Sequence, residues 1–192
     1  TAAHIDIPFL TLDGEAAYRD NVAQYMLREY SAGRTPNGDM LCNREVKFGI
    51  FLKFALENGA DYIATGHYAQ NVDGRIFESA DKEKDQTYFL SQLTQAQLKH
   101  TLFPIGHLQK SEVRKLAKEA SLPVATRKDS QGICFVGDMS MEEWLKRELK
   151  PDKGDVLNMN REKIGEHDGA LLYTLGQRHG YKIFNLQEDQ QV

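Results

Sequence analysis

The chain has two cysteine residues, Cys42 and Cys134, and both stand where a thiol can become nucleophilic. Cys42 follows a turn-rich stretch and precedes an apolar helical pattern at Val46, so we predict it just ahead of a helix. The N-terminal end of a helix favours a thiolate through its dipole and its unpaired N–H groups. Cys134 comes soon after Arg127 and Lys128, whose charges lower the pKa of a nearby thiol. Two such thiols, if they meet, form a redox-capable pair that can carry a persulfide on one sulfur and resolve it with the other.

Each of these residues also has a structural interpretation. A buried cysteine acts as a small apolar residue, and Ile133-Cys134-Phe135 is typical of a core segment. Asp39 stands three residues before Cys42, close enough in a turn for its carboxylate to transfer protons beside a nucleophile. An aspartate in an Asn-Gly-Asp sequence more often stabilises the turn through its own backbone. The residues alone leave both interpretations open.

Strands and helices that could position these side chains alternate in the first part of the chain. Alternating residue types over His4–Phe9 predict a short strand, and Asp13 is placed to cap the helix that follows. The apolar face of that helix consists of Tyr18, Val22, Tyr25 and Met26. A second helix is predicted to end at Gly59 and to lead into a buried strand at Asp61–Thr65. This order predicts an α/β fold built on a parallel sheet.

The end of the Asp61–Thr65 strand is a predicted binding position, because open α/β sheets bind ligands beyond the carboxyl ends of their strands. Gly66 stands there and would let a nucleotide approach the backbone. The neighbouring His67 fits a binding residue or a structural histidine equally well. A polar triplet further on, Lys84-Asp85-Gln86, would by itself be assigned to solvated surface.

Beyond these residues the sequence predicts an excursion from the sheet, a helical extension and a further domain. Asp73-Gly74 is the strongest short-range signal for a β-hairpin. From 92 to 149 the spacing of apolar residues is mainly helical. We therefore predict an α/β domain with a helical extension over 1–150, and the incomplete beginning of a small β-rich domain over 151–192.

Composition and charge exclude several classes of protein. A hydrophobic fraction of 41% is that of a folded chain, and no apolar run is long enough to cross a bilayer, so we predict a cytoplasmic protein with no membrane partner. The cysteine and histidine spacing does not suggest a metal site, and no Walker or dinucleotide glycine motif is present. The net charge of −4 gives no general attraction to nucleic acid, although basic residues outnumber acidic ones between Lys110 and Lys128.

Five segments, in the same order along the chain, resemble the tRNA-specific 2-thiouridylase family. They are Gly33–Asn43, Ala64–Tyr68, Lys84–Leu90, Asp129–Phe135 and Thr174–Arg178. The resemblance implies a partial adenine-nucleotide α-hydrolase-like domain, Rossmann-like and of the ATP-pyrophosphatase type, followed by a small central domain. The family's N-terminal Ser-Gly-Gly-x-Asp-Ser phosphate loop and its C-terminal β-barrel are absent from these residues, so we expect a fragment that is not active alone.

The reaction of that family replaces the C2 oxygen of the wobble uridine of a tRNA with sulfur. By the resemblance, ATP, which we expect to bind together with Mg, adenylates this oxygen, and a donor protein delivers a persulfide to Cys134. Attack by Cys42 then releases the sulfur and leaves a Cys42–Cys134 disulfide. Asp39 would act as the acid or base and Gly66 would contact the nucleotide, while no protein-bound metal is implied.

The resemblance also implies which residues contact the tRNA. These are Asn37, Gly38, Asp39, His67, Lys84, Asp85 and Gln86. The family usually has proline at the position of Gly38, and glycine makes the loop less preorganised, so we expect weaker positioning of Asp39. Three alternatives stay open: another ATP pyrophosphatase of the same superfold, a thiol-disulfide oxidoreductase, and a catalytically incomplete tRNA-binding fragment.

Overall fold

The computed structural model describes residues 1–127 and 139–184. By their internal contacts these residues form two units. The first is the described part of Thr1–Ala23 and Asn37–Gln131, and the second is the described part of Gln24–Pro36 and Gly132–Val192. Within the described residues, no helix has the length and apolar content required to cross a membrane. The predicted site residues that the structure describes all belong to the first unit.

The predicted strand at His4–Phe9 is absent, so this prediction is wrong. The structure has a 3₁₀ turn at Ala2–His4 instead, and the N–H of Ile5 donates to Ala2 O at 3.2 Å. Asp6 has a φ of 52°, outside the extended region. A strand also needs a neighbour for its backbone hydrogen bonds, and none of the strands in the described residues pairs with this segment.

The first helix changes its winding along its length. It runs as α1 (Glu15–Tyr18), a π-helical segment (Arg19–Ala23) and α2 (Gln24–Ser31). Its N-cap is Gly14, one residue later than predicted, although the Asp13 carboxylate still accepts the N–H of Glu15 at 2.9 Å. The predicted apolar face is confirmed by the burial of Tyr18, Val22 and Met26.

The second helix has three parts. They are α3 (Gly38–Leu41), a nine-residue π-helical segment (Cys42–Ile50), called the Cys42 π segment below, and α4 (Phe51–Glu57). Gly59, with a φ of 86°, ends the helix as predicted. The N–H of Gly59 donates to Leu56 O at 3.1 Å and that of Ala60 to Ala55 O at 3.0 Å. These bonds satisfy two of the carbonyls that a helix end leaves without partners.

Two short sheets follow in the first unit. β1 (Ile63–Ala64) pairs in parallel with β4 (Thr101–Leu102), which confirms the predicted parallel pairing. β4 lies in a stretch predicted as mainly helical, and that prediction is wrong there because two residues are too few to show a period. β2 (Gln70–Val72) and β3 (Arg75–Phe77) form the predicted hairpin, whose two turn residues have positive φ values of 51° and 75°.

The core of the first unit combines side chains from the second helix, β1 and the segments around β4. It consists of Phe48, Leu52, Ile63, Ala69, Leu90, Leu98 and Phe103. Leu90 comes from a 3₁₀ turn (Thr87–Leu90) and Leu98 from α5 (Gln95–Lys99). By contrast, α6 (Lys110–Glu119) buries none of its residues, although its helical period was predicted correctly.

The second unit contains the predicted β element. Its helix α7 (Met141–Leu149) is capped by Ser140, whose hydroxyl accepts the N–H of Glu143 at 3.2 Å. An antiparallel sheet follows, made of β5 (Gly154–Leu157), β6 (Lys163–His167) and β7 (Lys182–Ile183). The strands agree with the β-rich character that the sequence predicts for this stretch.

Candidate functional site

Asn37 begins the helix that carries Asp39 and Cys42. Its side-chain oxygen accepts the backbone N–H of Met40 at 3.2 Å, and its own backbone is extended. This is the N-cap arrangement, for which asparagine is among the preferred residues. Gly38 is therefore the first helical residue, and the helix starts earlier than the sequence predicted.

Cys42 lies inside this helix and not ahead of it, which corrects the prediction. The helix begins at Gly38 because Asn37 caps it, so Cys42 is already one turn from the N-terminus. The dipole acts mainly within the first turn, so the thiol receives less of its effect than predicted. Cys42 is also buried, with 5% exposure. A reaction at this sulfur therefore requires the surrounding structure to open.

Asp39 and Cys42 share one face of the helix, because residues three apart are neighbours on a helix surface. Asp39 is exposed and lies in the first turn of α3, where the helix dipole stabilises a carboxylate. The pair thus combines a solvent-accessible acid or base with a protected sulfur. Such a pair can transfer a proton beside a nucleophile once the sulfur becomes accessible.

Gly66 lies on the carboxyl side of the parallel β1–β4 pair, two residues after β1 ends. It is exposed, and a Cβ added to it would meet no atom within 4 Å. The backbone at Gly66 is therefore open to a ligand at the position where α/β sheets bind nucleotides. This geometry fits the nucleotide contact predicted for Gly66.

His67 is buried against the rings of Phe48 and Phe103, at centroid distances of 5.6 and 6.0 Å. Its Nδ1 shares a 2.8 Å hydrogen bond with the Thr65 hydroxyl. Burial, and then the charge of Lys47, lowers the pKa of His67 to about 4, so the ring is neutral at pH 7. The neutral ring is part of the core, and a contact between His67 and tRNA stays a prediction.

Asp85 and Gln86 use their side chains to fold their own loop. The Asp85 carboxylate accepts the N–H of Ser79 at 2.7 Å, the N–H of Thr87 at 3.1 Å and the Thr87 hydroxyl. Burial raises the pKa of the Asp85 carboxyl, but these hydrogen bonds outweigh burial, and the pKa lies below its ordinary value. The Tyr68 N–H donates to the Gln86 side chain at 3.0 Å, and the Gln86 N–H donates to Tyr68 O at 2.9 Å.

The structure thus gathers the predicted residues of the first unit into two regions. One is the helix start (Asn37–Cys42). The other is the paired loops (Thr65–Tyr68 and Lys84–Thr87), which the two hydrogen bonds of Gln86 join and in which Lys84 is exposed. Cys134 lies outside the described residues. Across residues 1–127 and 139–184, no group of three or more His, Cys, Asp or Glu side chains is placed to hold a metal ion.

Sequence reasoning missed Gln97, which contacts the helix that carries Cys42. The side-chain nitrogen of Gln97 donates to Arg44 O at 3.0 Å and to Phe48 O at 2.9 Å. Thr94-x-x-Gln97 is a capping-box pattern, so the sequence could have identified Gln97 as a cap of α5. Its contacts with the distant Cys42 π segment have no local sequence signal.

The family model that matches residues 1–138 places this part of the chain in the class of HUP domains, which are adenine-nucleotide α-hydrolase-like. Its parallel strand pair, with an open glycine at the carboxyl side of the first strand, fits that class. Residues 1–138 match the family model described as tRNA methyl transferase HUP domain. Residues 142–192 match the model described as tRNA methyl transferase PRC-barrel domain. The chain therefore belongs to the tRNA methyl transferase HUP-domain family.

Curated relatives agree with the resemblance inferred from the sequence. The chain is 51% identical over 187 residues to the tRNA-specific 2-thiouridylase MnmA of Streptococcus thermophilus. The aligned region covers 95% of this chain and 50% of that protein. It is 52% identical over 183 residues to the protein of the same name from Bacillus licheniformis, with coverage of 93% and 49%. It is 50% identical over 187 residues to the protein of the same name from Streptococcus pyogenes, and the aligned region covers 95% of this chain and 50% of that protein. The chain spans about half the length of the curated relatives it matches.

Proposed function

We propose that this protein is an enzyme that replaces the C2 oxygen of the wobble uridine of a tRNA with sulfur. The observation that carries the proposal is the helix start, where Asn37 caps a turn with an exposed Asp39 beside a buried Cys42. The chain is identical at about half of the aligned positions to proteins named tRNA-specific 2-thiouridylases, and this similarity supports the same activity.

In this proposal the two cysteines have different tasks. Cys134 carries a persulfide, which a sulfur-donor protein loads onto it. The Cys42 thiolate attacks the Cys134 sulfur and breaks the persulfide S–S bond. A Cys42–Cys134 disulfide forms, and the outer sulfur leaves with the electron pair that makes its bond to C2 of the uridine. Two electrons from an external dithiol then reduce the disulfide before the next turnover.

The other site residues bind the substrates and move the proton. Asp39 acts as the acid or base beside the reacting atoms. The open backbone of Gly66 would hold ATP with Mg, which would supply the AMP group that activates the uridine oxygen. When sulfur bonds to C2, the C2–O bond breaks and the oxygen leaves with AMP. The tRNA contacts are Asn37, Gly38, Asp39, His67, Lys84, Asp85 and Gln86. We place the activity in the cytoplasm, and the division into domains at 1–150 and 151–192 stays a prediction.

Peptide mass spectrometry after incubation with a cysteine desulfurase and cysteine tests the roles of the two thiols. We expect a persulfide on Cys134, converted with time into a Cys42–Cys134 disulfide. In Cys42→Ser the persulfide should accumulate, because the attacking thiol is gone. In Cys134→Ser no persulfide should form. Two inert thiols in folded protein would contradict the proposal and favour a tRNA-binding role alone.

Nucleoside mass spectrometry of tRNA treated with the protein, ATP and the sulfur source tests the reaction itself. It separates a sulfur-for-oxygen exchange from a methyl addition, and this distinction matters because the family description names methyl transfer. A disulfide that cycles while the tRNA stays unmodified would instead indicate a thiol-disulfide oxidoreductase.

A further inference from the structure

The winding of the helix just after the attacking thiol is unusual. In the Cys42 π segment the hydrogen bonds reach five residues back, as in the bond from the Phe51 N–H to Val46 O. Such windings are rare, are normally confined to single turns, and occur frequently at functional sites. A segment of nine residues therefore needs contacts outside the helix to hold it in this form.

Gly49 permits this winding from within the helix. A Cβ added at Gly49 would lie 3.0 Å from Arg44 O, the carbonyl five residues earlier. That distance is shorter than a normal contact between a Cβ and a carbonyl oxygen. A side chain at this position would push on the Arg44 carbonyl, so glycine is the residue that best tolerates the π winding here.

Gln97 holds the same segment from outside. Its amide nitrogen donates to Arg44 O and to Phe48 O, at 3.0 and 2.9 Å. Its amide oxygen accepts the N–H of Thr94 at 2.8 Å, which fixes the side chain at the start of α5. One half-buried side chain therefore bonds to two carbonyls of the π segment and is itself fixed at its other end.

The first residues of the segment have further ties to the stretch that contains Gln97. The side-chain nitrogen of Asn43, the residue next to Cys42, donates to Phe89 O at 3.1 Å. The guanidinium of Arg44 donates to the Gln92 side chain at 3.0 Å. All these contacts join the Cys42 π segment to one stretch of chain, residues 89–97.

We propose that Gln97 is a positioning residue for Cys42: by holding the carbonyls of Arg44 and Phe48 it maintains the π winding and keeps the sulfur in its buried position. This inference rests on the proposed function, in which Cys42 is the attacking thiol. The π and α windings advance by different angles per residue, so a change from one to the other turns Cys42 relative to the buried Phe48. Release of the Gln97 contacts therefore exposes the sulfur.

The test measures the rate at which iodoacetamide alkylates Cys42 in the folded chain, with Cys134→Ser present so that a single thiol reports. Gln97→Glu keeps the oxygen that accepts from Thr94 but removes both N–H bonds to the π segment. Gln97→Met removes the same bonds without adding a charge that would itself alter the thiol.

Asn71→Asp is the matched control. The Asn71 side-chain nitrogen also donates to two backbone carbonyls, Leu98 O at 2.7 Å and Thr101 O at 2.8 Å, and its oxygen accepts the Gly74 N–H at 3.1 Å. The substitution makes the same chemical change as Gln97→Glu but touches no residue of the Cys42 π segment.

We expect both Gln97 variants to raise the alkylation rate about tenfold, because two hydrogen bonds no longer oppose local opening. Asn71→Asp should lower the melting temperature about as much as Gln97→Glu does, because it also removes two hydrogen bonds to backbone carbonyls. Its alkylation rate should nevertheless stay within about twofold of the parent. Unchanged rates in the Gln97 variants, or an equal rise in Asn71→Asp, would overturn the inference. Alkylation does not depend on sulfur transfer, so this inference can fail while persulfide mapping succeeds, and the reverse.

Discussion

The helix start and the paired loops hold most of the predicted site residues, but they use their polar side chains differently. At the helix start one side chain, that of Asn37, makes the local structure, and Asp39 remains exposed to solvent. In the paired loops the side chains of His67, Asp85 and Gln86 all bond to neighbouring protein groups. The helix start therefore leaves a reactive carboxylate accessible, whereas the polar side chains of the paired loops stabilise the fold.

This difference gives each region its own experimental signature. Substitutions at the helix start should change the reaction more than the free energy of unfolding. Substitutions in the paired loops should change the free energy of unfolding first, with Lys84 as the exception because its side chain is exposed.

Asp39→Asn should have the largest effect. Loss of the acid or base should lower the rate of sulfur transfer to tRNA by about 10²–10⁴-fold. The free energy of unfolding should fall by less than about 1 kcal/mol, because the exposed carboxylate contributes to folding mainly through the helix dipole. Nucleoside analysis under single-turnover conditions and urea unfolding measure the two quantities. A variant that loses stability but keeps its rate would place Asp39 with the structural residues.

His67→Asn should remove a pH dependence from the paired loops. The pKa of His67 is about 4 in the folded protein and near 6.5 when unfolded, so the unfolded state binds more protons between these values. Stability is therefore lost as the pH falls through this window, by about 3 kcal/mol between pH 7 and pH 4. Asparagine can still bond to Thr65 but does not titrate. Urea unfolding across this range should give a shallower slope for the variant, and parallel slopes would contradict the prediction.

Asp85→Asn should destabilise the protein at neutral pH, and this effect should diminish in acid. The pKa of Asp85 is lowered in the folded state, so its stabilisation is present above the ordinary value of 3.8 and is lost as the pH falls through the folded value. At pH 7 the variant should lose about 1–3 kcal/mol, because the amide nitrogen replaces one of the two carboxylate oxygens and cannot accept the hydrogen bonds made to that oxygen by Ser79 or by Thr87. The difference from the parent should shrink below pH 3.8. Asp61→Asn, at an exposed position, controls for the loss of charge alone.

How much the sequence could predict depends on the range of each interaction. The Asp73-Gly74 hairpin and the end of the helix at Gly59 follow from local backbone preferences, and both predictions are confirmed. Cys42 was placed ahead of a helix because glycine and proline near Asn37 predict a loop, whereas the Asn37 side chain starts the helix there. The contacts of Gln97 with the Cys42 π segment join distant parts of the chain, and no local pattern encodes them.

Lys84→Ala should change tRNA binding and leave folding unaltered. The side chain is exposed, so the free energy of unfolding should stay within about 0.5 kcal/mol of the parent. If Lys84 contacts a phosphate, the slope of the logarithm of the association constant against the logarithm of salt concentration should fall in magnitude by about one. Lys82→Ala, at an exposed position of the same stretch, is the charge-matched control. Equal changes in both variants would indicate general electrostatic attraction and no specific contact.

Gly38→Pro should have the smallest effect, and its sign is informative. Gly38 is the first residue of α3, a position that favours proline because its N–H lacks a partner within the helix. Asn37 has φ −101° and ψ 96°, in the extended region to which a following proline restricts its neighbour. Proline therefore suits the first position of this helix and restricts the unfolded chain, so we expect the free energy of unfolding to rise by about 0.4–1 kcal/mol.

The same variant tests whether the helix start is the less preorganised region of the two. If glycine leaves Asp39 loosely positioned, proline should raise both the melting temperature and the rate of sulfur transfer, because fewer conformations compete with the productive one. Gly38→Ala is the control, since alanine restricts the unfolded chain without fixing φ. A proline variant that is more stable but slower would contradict this expectation. It would show that the helix start has to open before the buried sulfur of Cys42 can react. Access to this sulfur would then depend on two features of one helix, its start at Asn37 and the π winding that Gln97 holds.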